Sequence, residues 1–188
     1  MVQARVFSKS GLSYDRLTRR VGQIAAKLLE TYLEDGMTMM VSWGHTVLET
    51  VKSLRPNRSI HLKIIQGQGV LTNEMIEGSQ IIRNLAQLYG DDYMVIHSPL
   101  TLKDRETCRI LLEEPSIKTV IKMAETADIA LVGIGSINPQ ISSLYQNKFV
   151  NDEDIAYFKE NGIVGELLGR HYDKNGKVLD IDFNHKVV

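Results

Sequence analysis

The sequence of 188 residues is poor in what would build a covalent or metal scaffold: it has one cysteine, Cys108. A lone thiol excludes an internal disulfide and a cysteine cluster for zinc. Its setting, Thr107-Cys-Arg-Ile-Leu-Leu112, is helix-like, so Cys108 is expected to pack as a small hydrophobe rather than to act as a nucleophile. Net charge is lacking too. The 22 Lys and Arg against 23 Asp and Glu leave a formal charge of −1, so no global positive field invites nucleic acid. There is no uninterrupted apolar span of membrane length and no leader with a basic start and an apolar middle. A soluble, cytoplasmic chain with no membrane partner is expected. Internal repeats, low-complexity tracts and linkers are missing. The first helical stretch has neither the short partner nor the basic recognition face of a helix-turn-helix.

With 43% apolar residues, the chain can bury the core of one domain. Leu17, Val21, Ile24, Ala25, Leu28, Leu29 and Tyr32 recur at helical spacing over residues 13–33, and Asp35-Gly36 ends that helix. Further helices are expected over 47–54, over 77–89, from an Asp104 cap to residue 112, over 115–125 with Pro115 at the start, and over 151–160. Apolar segments at 37–41, 60–65, 93–96 and 129–134 read as strands, the last as the clearest buried one, and residues 2–7 resemble the end of another. The tail differs. Residues 163–172 and 178–183 flank Asp173-Lys-Asn-Gly176, and Asn-Gly between alternating segments is a hairpin signal. Strands alternating with helices predict an α/β fold, a Rossmann-like, mostly parallel sheet with helices on both faces and a late β-hairpin.

Open parallel sheets bind ligands beyond the carboxyl ends of their strands. Three glycine-bearing loops follow predicted strands here: Ser42-Trp-Gly-His-Thr46, Gln66-Gly-Gln-Gly69 and Gly133-Ile-Gly-Ser136. Any one of them reads as well as a tight turn; three at equivalent ends point to a ligand. None is a nucleotide motif. The first lacks the Gly-Lys-Ser/Thr of a P-loop, and Gly133-Ile-Gly-Ser-Ile-Asn138 lacks the third glycine of a dinucleotide fingerprint. ATP and NAD are therefore not expected as cofactors. A small phosphorylated molecule fits better, its phosphate at the helix opened by Gly44, His45 and Thr46 and held by backbone N–H groups and the Thr46 hydroxyl. His45 either assists when protonated or is simply an exposed helix-start residue. Trp43 is expected in the core or a wall. In Gly162-Ile-Val-Gly-Glu-Leu-Leu-Gly-Arg-His-Tyr172, the carboxylate of Glu166 must be solvated or paired: it accepts hydrogen bonds from sugar hydroxyls or pairs with Arg170. His171 and Tyr172 alternate sides of a strand and read as sheet surface. His61, His97 and His185 have no metal-site spacing, and no metal is expected.

Val41-Ser-Trp-Gly-His-Thr46, Asp128-Ile-Ala-Leu-Val-Gly-Ile-Gly-Ser136 and Gly162-Ile-Val-Gly-Glu-Leu-Leu-Gly-Arg-His-Tyr-Asp173, in that order, resemble the effector-binding domain of the SorC family of bacterial sugar-responsive transcription regulators. Ser98-Pro-Leu100 and Pro115-Ser-Ile-Lys-Thr-Val120 follow the same pattern, so the resemblance runs through nearly the whole chain. It implies a sugar-phosphate sensor with a fold similar to ribose-5-phosphate isomerase and glucosamine-6-phosphate deaminase. Residues 1–188 would be one phosphosugar effector-binding domain, with the family's N-terminal DNA-binding module and its closing glycine-rich loop and helix outside it. Operator DNA would be met only through that module, and the domain would associate as dimers or tetramers. Gly44, His45 and Thr46 match the phosphate loop, Gly67, Gln68 and Gly69 a second ligand loop, and Glu166 an acidic ligand contact. Ser42, Gln66, Gly135 and Ser136 complete the expected ligand set. The other reading is an enzyme, an isomerase or deaminase acting on a sugar phosphate. Glu166 and His45 do not make a clear base-plus-electrophile pair for it, so no catalytic residue is assigned.

Overall fold

In a strand, neighbouring side chains point to opposite faces, and this decides which helices each strand buries. The computed structural model describes residues 4–8, 11–70, 77–90 and 92–188. Four strands, β1 (Thr38–Val41), β2 (Lys63–Gln66), β3 (Tyr93–Met94) and β4 (Ile129–Leu131), form a sheet in the order β3-β2-β1-β4. All its pairings are parallel, with Met39 of β1 opposite both Ile64 of β2 and Ile129 of β4. Helices α1 (Tyr14–Leu29), α2 (His45–Ser53) and α3 (Glu77–Tyr89) supply Ala26, Leu29, Val47, Val51, Ile81 and Leu85, which cluster with Ile64. Helices α4 (Arg105–Leu112) and α5 (Pro115–Glu125) supply Cys108, Ile117 and Val120, which cluster with Ile65. Ile64 and Ile65 thus face two separate cores, so helices cover both faces.

The helix boundaries have local causes. The Asp104 carboxylate caps α4 by accepting from the Thr107 N–H at 2.9 Å. After the short α6 (Ser143–Gln146), helix α7 (Asp152–Glu160) opens with a capping box. Asn151 Oδ1 accepts from the Asp154 N–H at 3.0 Å and Asp154 Oδ2 from the Asn151 N–H at 2.8 Å, which satisfies donors at both ends of the first turn. Helices α1 and α2 approach so closely that a Cβ on Gly22 would lie 2.6 Å from the Glu49 carbonyl carbon.

A second, antiparallel sheet has the order β5-β6-β7, from β5 (Gly135–Ser136), β6 (Ile163–Leu167) and β7 (Arg170–Asp173). The expected hairpin therefore exists, but its turn is Leu168-Gly169, one turn earlier than Asn175-Gly176. The latter still reverses the chain and returns Val178 to Tyr172 as an isolated bridge. Two further expectations are corrected. Residues 4–8 hold no strand, and Val2 and Gln3 lie outside the described residues. The 129–134 run is not the best-buried strand: β4 is the edge of its sheet, Ala130 is exposed, and Ile134 is 79% exposed. An apolar run reports what can be buried, not whether the strand has a neighbour on each side.

His171, expected on a sheet surface, is core. Its ring lies 4.1 Å from that of Phe158 and 5.0 Å, edge-on, from that of Phe183. Asn184 brackets it: Oδ1 accepts from the His171 N–H at 2.8 Å and lies 3.2 Å from Nδ1, while Nδ2 donates to the His171 carbonyl at 3.0 Å. Burial holds the imidazole pKa down to about 4, from an ordinary 6.5, despite Asn184 favouring the charged form.

Two predictions follow from this packing. Ala usually stabilises a helix relative to Gly, but Gly22→Ala should lower stability by about 1–3 kcal/mol because overpacking dominates; denaturant midpoints at constant slope measure it. The depressed His171 pKa means that the unfolded chain takes up the proton first. Its contribution is present above about pH 6.5 and is lost as the pH falls toward about 4, by roughly 3 kcal/mol. Urea titrations across that range should show a shallower pH dependence for His171→Gln than for the wild type.

Candidate ligand-binding cleft

Strand β1 is flanked by β2 on one side and β4 on the other, so the chain leaves it one way and returns to its other edge much later. Beyond the carboxyl ends of β1 and β4 the connections diverge and leave a crevice. It is a cleft of about 260 Å³ walled by residues 42–47, by 133–136 and by Gln68, Glu166 and Leu168.

Ser42 ties its two sides together. Its N–H donates to the Leu131 carbonyl at 3.0 Å, and its Oγ accepts from the Gly133 N–H at 3.1 Å while donating to the Trp43 carbonyl at 3.3 Å. The hydroxyl is thereby engaged within the protein. Gly44 follows with φ 138° and ψ 151°, and a Cβ built on it meets nothing within 4 Å. Glycine is there for the backbone conformation, and the space above it is open. Its carbonyl accepts from the Leu48 N–H at 2.8 Å, which starts α2. Gly44 gives that helix no side-chain cap, and its first turn has no acidic residue. The N–H groups of a first turn have no intrahelical acceptor and carry the positive end of the helix dipole. With His45, Thr46 and Val47 all lining the cleft, this end is suited to an anion.

Across the cleft, Gly135 pairs with Glu166. Glu166 is 9% exposed. Its Oε2 accepts from the Gly169 N–H at 2.8 Å. Burial raises its pKa above the usual carboxylate value, and the Gly169 bond opposes that only in part. The alternative partner is engaged elsewhere: the Arg170 guanidinium donates to the Val187 carbonyl at 3.0 Å. A Cβ on Gly135 would fall 1.8 Å from Glu166 Oε1, so glycine there makes room for the carboxyl group.

The structure thus brings Ser42, Gly44, His45, Thr46, Gln68, Gly135, Ser136 and Glu166 to one cleft. Gln66, Gly67 and Gly69 are not part of its wall. Gln66 is buried and borders a separate hollow with Ile82, Val95 and Pro99. A Cβ on Gly67 would meet Met40 Sδ at 2.3 Å, and one on Gly69 the Pro99 carbonyl oxygen at 2.4 Å; these glycines serve close packing. Gln68 alone carries that loop into the cleft, and its Oε1 is buried without a hydrogen-bond partner. Trp43, expected in core or wall, is both. Sequence reasoning missed Tyr14, Val47, Ile141, Ser143 and Leu168 in the lining. Leu168 had no signal, since at φ 52° it stands where a two-residue hairpin turn ordinarily carries Asn, Asp or Gly. Tyr14, at the start of α1, had none. Among the described residues, no group of His, Cys, Asp and Glu is placed to hold a metal ion, and no helix is long and apolar enough to cross a membrane.

A parallel α/β sheet with a ligand-sized crevice at the point where its strand order reverses defines a small-molecule-binding domain. The chain belongs to the Sugar-bind family, described as "Putative sugar-binding domain", whose model matches residues 1–188. Its relatives are transcriptional regulators. It is 28% identical to the sorbitol operon regulator of Klebsiella pneumoniae, over 99% of this chain and 60% of that protein. It is 20% identical to the deoxyribonucleoside regulator of Bacillus subtilis, over 100% of this chain and 60% of that one. The chain thus spans about 60% of the length of these curated relatives. Among solved structures, it is similar to a DeoR family transcriptional regulator from Listeria monocytogenes, with a TM-score of 0.83 and 23% identity over 97% of this chain and 72% of that one. The full-length sorbitol operon regulator SorC from Klebsiella pneumoniae gives a TM-score of 0.81 and 24% identity, over 97% and 59% of the two chains. These relatives are the regulators that the sequence resemblance implied, and none of them is an enzyme.

The contact between Gly135 and Glu166 is open to a double-mutant cycle. Gly135→Ala should destabilise the domain by about 1–3 kcal/mol, and much less in a Glu166→Ala background, where the added methyl has room. Chemical denaturation of the four proteins reads the coupling.

Proposed function

We propose that this domain binds a phosphorylated sugar, with the phosphate at the start of α2 and the sugar hydroxyls directed toward Gln68 and Glu166. The observation that carries this reading is the uncapped first turn of α2, facing the cleft in a member of a sugar-binding family. Backbone N–H groups, the Thr46 hydroxyl and Ser136 supply donors for phosphate oxygens. Glu166 and Gln68 supply acceptors suited to hydroxyls.

The domain acts as the effector-binding part of a cytoplasmic transcription regulator. Operator DNA is contacted by a DNA-binding module outside residues 1–188, and the regulator works as a dimer or tetramer. Binding shifts the balance between two arrangements of the assembly by the difference in affinity for them. The regulator names of the relatives support this reading over a sugar-phosphate isomerase or deaminase.

Thermal denaturation with a panel of sugar phosphates and the same sugars unphosphorylated tests the assignment. A specific sugar phosphate at 100 times its Kd adds about 2.7 kcal/mol to stability, and the free sugar adds far less. Thr46→Val should weaken binding by about 1–3 kcal/mol, the range for losing a hydrogen bond to a charged group. Absence of any shift across the panel would overturn the reading.

A further inference from the structure

We infer that the hollow at the carboxyl end of β2 is a second ligand site, which takes a small, mainly apolar ring compound whose amide or lactam edge pairs with Gln66. It is separate from the sugar-phosphate cleft and does not rest on that reading.

The hollow encloses about 510 Å³, inside the roughly 300–1,000 Å³ of pockets that hold small organic ligands. Its apolar walls come from three places: Ile82 of α3, Val70 after β2, and Val95, Ile96 and Pro99 after β3. Side chains alternate along a strand, so Gln66 lies on the face of Ile64, the face that α3 covers with Ile81 and Ile82. Gln66 is 5% exposed and borders the hollow. Among the described residues, none hydrogen-bonds its carboxamide. An amide taken out of water without a partner costs free energy, and native structures ordinarily satisfy such groups. An aliphatic side chain would fill this position without that cost, as Ile64 does two residues earlier. The amide therefore calls for a partner that enters the hollow.

The chemistry of that partner follows from the groups present. A carboxamide sets an acceptor beside two donors. It pairs through two bonds with any edge that presents a donor next to an acceptor, as glutamine does with adenine. The N–H and C=O of a lactam have that pattern. Ser98, 3% exposed, adds an acceptor: its Oγ donates to the Pro99 carbonyl at 3.0 Å and keeps its lone pairs. The apolar walls remove the rest of the ring from water.

Two probes of nearly the same shape test this: 2-quinolone, which has a lactam N–H, and N-methyl-2-quinolone, in which a methyl group replaces that hydrogen. Each is titrated into the isotope-labelled domain and followed by amide chemical shifts. 2-Quinolone should move the N–H groups of Val70, Ile96 and Ser98 and leave those of His45 and Thr46 in place. It should bind at least about tenfold more tightly than the methylated probe. Gln66→Leu, checked for folding by circular dichroism, should reduce it to the affinity of the methylated probe; if that variant does not fold, the two probes on the wild-type domain decide alone. Equal binding of the two probes by the wild type overturns the inference, because the amide edge is then not read. Shifts confined to His45, Thr46 and Val47 overturn it, because the compound then occupies the sugar-phosphate cleft. No binding of 2-quinolone up to its solubility limit overturns it as well. Each of these failures leaves the sugar-phosphate reading untouched.

Discussion

The position of β1 between β2 and β4 constrains everything at the ligand end of this domain. Parallel neighbours must be reached by crossovers, and the crossovers from β1 and to β4 run on different sides of the sheet. Their ends therefore separate, and the protein has to hold the gap open at a fixed width. Ser42 does this with three hydrogen bonds, two to the β4 side and one to its own turn. Once that width is set, the start of α2 and the wall containing Glu166 face each other across it.

The two ends of the cleft are built by different means. The α2 end presents backbone, so its charge is partial and fixed by the helix. The other end uses a side chain that burial makes costly to ionise, placed by the β6–β7 turn and accommodated by Gly135. Leu168 sits in that turn at φ 52°, a conformation that ordinarily favours Gly or Asn. The turn thus holds Glu166 through Gly169 while presenting an apolar side chain to the cleft.

Much of this was legible in the residues. The helical period over α1, the Asp104 cap and Pro115 placed their helices because those signals are local. The loops after β1 and β4 were visible as glycine-bearing junctions following apolar runs. What was not legible depends on contacts distant in sequence. Gly67 and Gly69 read like ligand-loop glycines, but Met40 and Pro99 press against them. The 129–134 run looked fully buried because neighbour number in a sheet is not written in a single strand. His171 looked like sheet surface until Phe158, Phe183 and Asn184 closed over it.

On the proposed function, the first-turn amides of α2 hold the phosphate of a sugar ligand. Amide chemical shifts of the isotope-labelled domain, followed by NMR during titration with a sugar phosphate that stabilises it, test this most directly. The largest changes should fall on the backbone N–H groups of His45, Thr46 and Val47, with a second group at Gln68 and Gly169. Saturable binding that leaves those amides unmoved and perturbs the hollow around Gln66 and Pro99 instead would contradict it.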